Sequence, residues 1–437
     1  MKLKDIAEYV TDKVSSEDIQ LEAYVTTDSL LQNKAGRVFA SNLPPEKCVL
    51  TKFQPGDVLI ANIRPYLKKI WRADCDGGCN ADVLAFRAKD NHCSKFLYAV
   101  LMQDTFFAYA MQGSKGSKMP RGDKSQMMRY EIPSLSSSEE ESIGKFITDI
   151  DSKIALNREI NRNLEAMARQ LYDYWFVQFD FPDENGRPYK SSGGKMVWNE
   201  KLKREIPIGW DVLPVNDIAS NVRGVSYTKD DLIDAQNGVL VLRGNNIHSN
   251  HLVQDSNVAY IPKELISEEQ HIQPLDIIMT MSSGSKEHIG KCAMFQTASK
   301  DTFGAFLTKF KAKEHYAYLL FNLFLSQYFK EKIKSIASGT GINNLTNQTF
   351  NDIYVAIPQY DILIGFDKRA TQIYSEIGVI ENNNIALIKQ RDELLPLLMN
   401  GQVLVKQTTV NCDLYFIDAI RILYGIAVVG YLLSWEA

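Results

Sequence analysis

Two stretches of the chain combine side chains and backbone of a kind that suits a polyanion. Asn62, Arg64, Tyr66, Lys68 and Lys69 form a basic run interleaved with an aromatic, directly after the apolar Val58-Leu59-Ile60. Ser114, Lys115, Gly116, Ser117, Lys118 and Arg121 form a second, rich in Gly and Ser. Arg and Lys pair with guanine edges, Asn and Gln with adenine, and Lys, Ser or bare backbone N–H groups with phosphates, to which a Gly-rich backbone can come close. Two later stretches hold equivalent places: Ser283, Ser285 and Lys286 after the apolar Ile277-Ile278-Met279, and Thr340, Asn343 and Asn344 in Ser338–Asn344. The alternative for each is a solvated loop.

Other chemistries find less support. Cys75-x3-Cys79 with His92-Cys93 has zinc-ligand types but loose spacing, and His248-x2-His251 lacks the Glu of a zincin, so no metal site is expected. No Asn/Asp-Pro-Pro-Tyr/Phe motif of an adenine methyltransferase is present. Neither is a P-loop, since Gly290-Lys291 runs into Cys292 and Gly194-Lys195 into Met196. Pro182-Asp183 lacks the Glu-x-Lys partner of a nuclease site. No catalytic residue is expected on this chain.

The 437 residues predict two or three domains, and 45% hydrophobic with 23% charged residues is ordinary globular composition. A net charge of −4 opposes DNA binding by bulk charge, so positive charge must be focused locally or supplied by a partner. The start, Met1-Lys2-Leu3-Lys4-Asp5, lacks the apolar run of an export leader, and the six cysteines follow no framework spacing. Reduced thiols and a cytoplasmic location are expected.

What positions these stretches is a repeat. Leu3-Lys4-Asp5-Ile6-Ala7 matches Val215-Asn216-Asp217-Ile218-Ala219, and Gln54-Pro55-Gly56-Asp57-Val58-Leu59-Ile60 matches Gln273-Pro274-Leu275-Asp276-Ile277-Ile278-Met279. Gly116 and Ile132-Pro133 match Gly341 and Ile357-Pro358. A long helical pattern follows each. Ile143, Ile147, Ile150, Ile154, Asn157, Asn161, Leu164, Ala168, Leu171 and Trp175 alternate steps of four and three, as do Phe366, Ala370, Ile373, Ile377, Ile380, Asn384, Leu387, Arg391, Leu394 and Leu398. That 3.5-residue period is a coiled-coil seam, in which Asn fixes register at a cost in stability. One amphipathic helix packed on its own domain is the alternative. Acidic Ser137–Glu141 reads as a helix start. Short β-rich runs (Val83–Phe86, Val239–Leu242, Phe306–Phe310) and helical patterns (Ser94–Met111, His315–Ile336) make the fold class α+β.

The order of repeat, long helix, Phe-Asp-Phe-Pro-Asp-Glu-Asn-Gly linker, Pro-x-Gly-Trp at Pro207–Trp210, repeat and long helix resembles the DNA-specificity subunit of type I restriction–modification complexes over residues 1–405. The resemblance implies two target-recognition domains (1–137 and 207–359), two conserved long helices (138–178 and 360–405) pairing antiparallel as a ruler, and a linker at 179–206. It places Arg243, Asn245 and Asn246 in a turn near DNA. Ile143, Ile150, Asn157, Asn161, Leu164, Ile373, Ile380, Asn384 and Leu387 fall to the spacer and its partners. Each recognition domain is expected to read one half of a bipartite, asymmetric site. Two adenine-methylating modification subunits, and in a restricting complex motor–nuclease subunits, would dock. S-adenosylmethionine, ATP and magnesium would belong to those partners, leaving no cofactor here. The chain departs from the pattern in lacking a Pro-x-Gly-Trp before Leu3, and in the apolar tail 406–437, whose run at 422–435 is too short for a bilayer, so no membrane role is expected. The rival reading is a coiled-coil scaffold without DNA specificity.

Overall fold

The computed structural model describes residues 1–114, 116, 118–248, 251–252, 258–339, 344–403 and 405. Lys115, Ser117, Thr340, Asn343 and the tail 406–437 lie outside the described residues. The chain forms two compact units, one holding residues 1–158 with the described residues from 382 on, the other residues 159–381.

In the first unit, the one-turn helix Leu3–Ile6 buries both its apolar ends and runs into the strand Ala7–Tyr9. Four antiparallel strands follow the spatial order Ala7–Tyr9, Val83–Ala88, Val58–Ala61, Ile70–Arg72. Val58–Ala61 is buried at every position, as a strand covered on both faces must be, which explains its continuous apolar run. Helices Ser94–Met102 and Asp104–Gln112 pack on this sheet, and the core takes in Ile143 and Ile147 with Leu395, Leu398 and Met399. A second sheet holds Lys13–Ser15, Val49–Phe53, Gly77–Cys79 and Tyr24–Val25, the last two parallel.

The second unit opens the same way. Val215–Ile218 makes one turn into Ala219–Arg223, and four antiparallel strands follow the order Ala219–Arg223, Leu307–Ala312, Ile277–Thr280, Cys292–Met294. Helices Ala317–Leu325 and Gln327–Gly339 follow.

Before each second sheet strand, a Gln-Pro-x-Asp turn is closed twice. The Asp57 amide donates to the Gln54 carbonyl at 3.1 Å and the Asp57 carboxylate accepts from the Gln54 amide at 2.9 Å. In the second unit the corresponding distances, Asp276 to Gln273, are 3.2 and 2.8 Å. Each carboxylate is then buried against a cation: Asp57 with Arg87 at 2.7 Å, Asp276 with Lys309 at 3.1 Å. Pro at the second position and a positive φ at the third define a type II turn, which favours glycine. Gly56 sits there at φ 95°, but the second unit carries Leu275 at φ 66°. Left-handed backbone costs an L-residue roughly 1–2 kcal/mol, against roughly 0.5–1 for the added freedom of glycine in the unfolded chain. Leu275→Gly is therefore expected to stabilise the second unit by about 0.5 kcal/mol in thermal unfolding; a lowered Tm would mean that the contacts of the exposed leucine side chain outweigh the strain.

The first long helix, Ser137–Tyr172, has 36 residues, about 54 Å at 1.5 Å each. Ser136 and Glu139 cap its start, the Ser136 amide donating to the Glu139 carboxylate at 2.8 Å. It ends in a π turn, Asp173–Val177. The second long helix, Tyr360–Met399, has 40 residues. The seam positions are buried within each unit. Ile143, Ile150, Asn157, Asn384 and Arg391 are buried in the first unit, with Leu387 half-buried; Asn161, Phe366 and Ile380 are buried in the second, with Leu164 and Ile373 half-buried. Asn157 donates to the Asn384 side chain at 2.9 Å, and Asn161 to the Ile377 carbonyl at 3.5 Å.

Segment 179–206, expected as a linker from its Gly, Pro and Ser content, is built into the second unit. Phe179 and Phe181 are buried, their rings 5.3 and 5.1 Å from that of Trp210. Tyr189 stacks on Phe181 at 4.8 Å, and Met196–Asn199 pairs with Arg204–Pro207 as a hairpin. Polar composition concealed a few large rings, each able to bury 150–250 Å². Among the described residues no helix is long and apolar enough to cross a membrane.

Candidate nucleic-acid interface

In the first unit two of the expected stretches meet. Residue 62 follows the central strand, its amide donating to the Asp82 carbonyl at 2.8 Å. Arg64 donates to the Pro120 carbonyl at 2.8 Å, Gly122 donates to the Asn62 carbonyl at 3.3 Å, and Ile63 bridges to Arg121. The Arg121 guanidinium pairs with Asp82 at 3.1 Å in an exposed contact. Lys118 is exposed, Gly116 adopts φ 97°, and the Ser114 hydroxyl donates to the Met111 carbonyl at 2.8 Å.

The same contact recurs in the second unit. Ser282 bridges to Asn344, and Leu345 donates to the Met281 carbonyl at 2.8 Å. The loop then carries Ser283 and Ser285, with the Ser285 amide on the Ser283 hydroxyl at 3.3 Å, and enters the turn Lys286–His288. The Arg243 turn joins this edge: a side chain at Gly244 would lie 3.4 Å from Thr280. The Arg243 amide donates to the Asn246 side chain and its guanidinium to the Tyr227 hydroxyl, both at 2.8 Å, while Asn245 is exposed. Position 344 thus stands beside the Ser282 loop as Arg121 stands beside the Asn62 loop.

Not every expected cation faces solvent. Lys68 pairs with Asp104 at 2.9 Å, and Lys69 donates to the Thr27 carbonyl. Burial pushes the Lys69 ammonium below its ordinary pKa, with Asp28 opposing and Arg64 adding to the shift. Burial pushes the Asp104 carboxyl up, but hydrogen bonds from Lys34 and Lys68 outweigh it and hold the group low. Tyr66 is exposed. Asp82 and Asp104 in the first unit, and Tyr227 and Thr280 in the second, line these loops and carried no sequence signal; each is distant in the chain from what it touches.

Among the described residues no group of three or more His, Cys, Asp or Glu is placed to hold a metal. His92 lies 2.9 Å from Glu140, and burial pushes the Cys79 and Cys292 thiols up to about 12.

The chain is thus built of two α+β units with matching sheet order, each with polar loops bridged beside its sheet. The model of the type I restriction–modification DNA specificity domain matches residues 1–166 and 207–396, more than half of the sequence, and the chain belongs to that family of specificity subunits. It is 30% identical over 213 residues to the EcoKI specificity subunit of Escherichia coli K12, covering 46% of this chain and 45% of the relative. It is 32% identical over 208 residues to the StySPI specificity subunit of Salmonella potsdam, covering 45% and 44%. The chain thus spans less than half the length of these two relatives. The MjaIX specificity subunit of Methanocaldococcus jannaschii matches more widely, 25% identical with 83% and 81% covered. The crystal structure of a type I S subunit from M. genitalium is similar in fold, with TM-score 0.53 at 14% identity, covering 91% of this chain and 95% of that one.

Proposed function

We propose that the chain is the non-catalytic reader of a type I complex, each unit recognising one half of a bipartite, asymmetric DNA site. The observation that carries this reading is that both units have the same sheet order and the same bridge between two polar loops, at Ile63–Arg121 and at Ser282–Asn344. Different residues at matched places (Arg121 against Asn344) make the half-sites different, since Arg suits guanine and Asn adenine. The Asn62–Arg64, Gly116–Arg121, Arg243–Asn246, Ser283–Lys286 and Asn344 stretches face DNA in this reading.

The two long helices serve as spacer. The start of the first shares a core with the end of the second in one unit, and the end of the first with the start of the second in the other. This supports antiparallel pairing of the two helices within each unit; in this reading the paired helices are the ruler that sets the gap between half-sites. Two modification subunits dock on the helices and supply methyl transfer, and motor–nuclease subunits join in a restricting complex. The globular stretches 1–137 and 207–359 are the recognition domains in this division, and the helical stretches 138–178 and 360–405 the ruler.

Mapping methylated adenines in cells that carry the modification subunits, with and without this gene, tests the proposal. A two-part motif with a constant gap that vanishes with the gene is expected. Methyl transfer by this chain alone, or methylation indifferent to its presence, would overturn it.

A further inference from the structure

At the loop edge of the first unit, polar groups are buried without partners. Asn62 is 7% exposed, and among the described residues its Oδ1 accepts no hydrogen bond. Arg64, two residues on, has a buried Nε with no acceptor, and Asn80, whose backbone precedes the Asp82 that holds Asn62, has a buried Oδ1 with no donor. Buried polar groups are paired in nearly all cases, because each one left open costs stability. Arg64 also holds its backbone in the left-handed region at φ 53°, immediately before Pro65, and Lys68 closes the same turn at φ 50°. Backbone strain clusters at binding and active sites, and here it coincides with open polar groups.

The two lysines of this stretch do not share that condition. Lys68 is committed to Asp104 and Lys69 to the Thr27 carbonyl. Arg64 is anchored through its amide, which donates to the Pro120 carbonyl, while its guanidinium Nε has no acceptor among the described residues. We propose that Arg64 is a base-reading residue of the first unit, its planar fork recognising a guanine edge, and that Lys68 and Lys69 are structural rather than DNA contacts. This assignment rests on the reading of the chain as a DNA-specificity subunit. A guanidinium pre-set by a strained turn loses little freedom on binding, and its fork matches the O6 and N7 acceptors of guanine.

The test uses the complex of this chain with its modification subunits, mapping methylated adenines and measuring binding to duplexes across a salt series. Arg64→Gly removes the side chain at a backbone angle glycine accepts, so the fold is spared, and the half-site read by the other unit serves as fold control. Preference for guanine at one position of one half-site should fall on the order of tenfold to a hundredfold, with the salt dependence unchanged. Lys68→Ala and Lys69→Ala should leave the motif as it is. Equal loss for all sequences with a salt slope lower by about one would make Arg64 a phosphate contact and overturn the assignment. An unchanged motif, a wild-type half-site without guanine, or a motif relaxed by Lys68→Ala would also overturn it. A wild-type complex with no two-part motif would instead refute the underlying reading.

Discussion

Arg391→Ala should destabilise the first unit by about 3–5 kcal/mol, the range for removing one partner of a buried ion pair. The Arg391 side chain is 3% exposed, with Nη1 2.7 Å from Asp151 and Nη2 3.0 Å from Asp392. Asp151 also accepts from the Tyr98 hydroxyl at 2.8 Å. Burial first, and then the Asp151 carboxylate, push the Tyr98 group well above its ordinary pKa, so it stays a donor. The network continues from Asp392 through Lys34 to Asp104 and Lys68. It ties both long helices to the globular part of one unit. Truncating Arg391 leaves the partly buried Asp151 with the Tyr98 hydrogen bond and without its Arg391 counter-charge. A variant that removes the set together, Tyr98→Phe with Asp151→Leu and Arg391→Leu, should recover most of the loss, because well-packed apolar groups replace buried ion pairs at little net cost. Hydrogen exchange read on peptides of each unit is the measurement, since a chain of two units is not a two-state system. A loss under 1 kcal/mol for Arg391→Ala would show that water screens the pair.

Trp210→Ala should cost the second unit about 3–5 kcal/mol. The indole is 6% exposed and packs against Phe176 at 5.7 Å, Phe179 at 5.3 Å and Phe181 at 5.1 Å between ring centres. It is the point where segment 179–206 is fastened to the core. Its Nε1 has no hydrogen-bond partner among the described residues, so the stabilisation comes from area and shape. Trp210→Phe should accordingly cost much less, under about 1.5 kcal/mol. Protease sensitivity should rise at Asp183–Ser192 in the alanine variant and stay low in the phenylalanine variant. If Trp210→Ala leaves both stability and cleavage unchanged, the segment behaves as the free linker its composition suggests.

Much of the architecture was legible because the repeated stretches are local. The Leu-x-x-Ile-Ala turn into a strand, the Gln-Pro-x-Asp turn and the helix seam each depend on residues within a few positions, and their periods follow from the geometry of strand and helix. Family membership rested on the order of these pieces along the chain. The left-handed angle shared by Gly56 and Leu275 was not read from their alignment and appears only in the structure.

The candidate site was legible only as residue types. Five of the sequence-expected cations look alike in a string: Arg64, Lys68, Lys69, Lys118 and Arg121. Folding separates them, because Asp104 and the Thr27 carbonyl are brought to Lys68 and Lys69, Asp82 to Arg121, and nothing described to the Arg64 Nε. Arg391 likewise occupied a seam position meant for an apolar side chain until Asp151, from the other long helix, was seen to neutralise it. Sequence by itself determined the repeat, the long helices and the family, since these follow from short-range pattern and linear order. Tertiary structure decided which polar groups are satisfied and which remain open, because that depends on partners tens to hundreds of residues away, and a buried charge or amide has no preferred fate until those partners arrive.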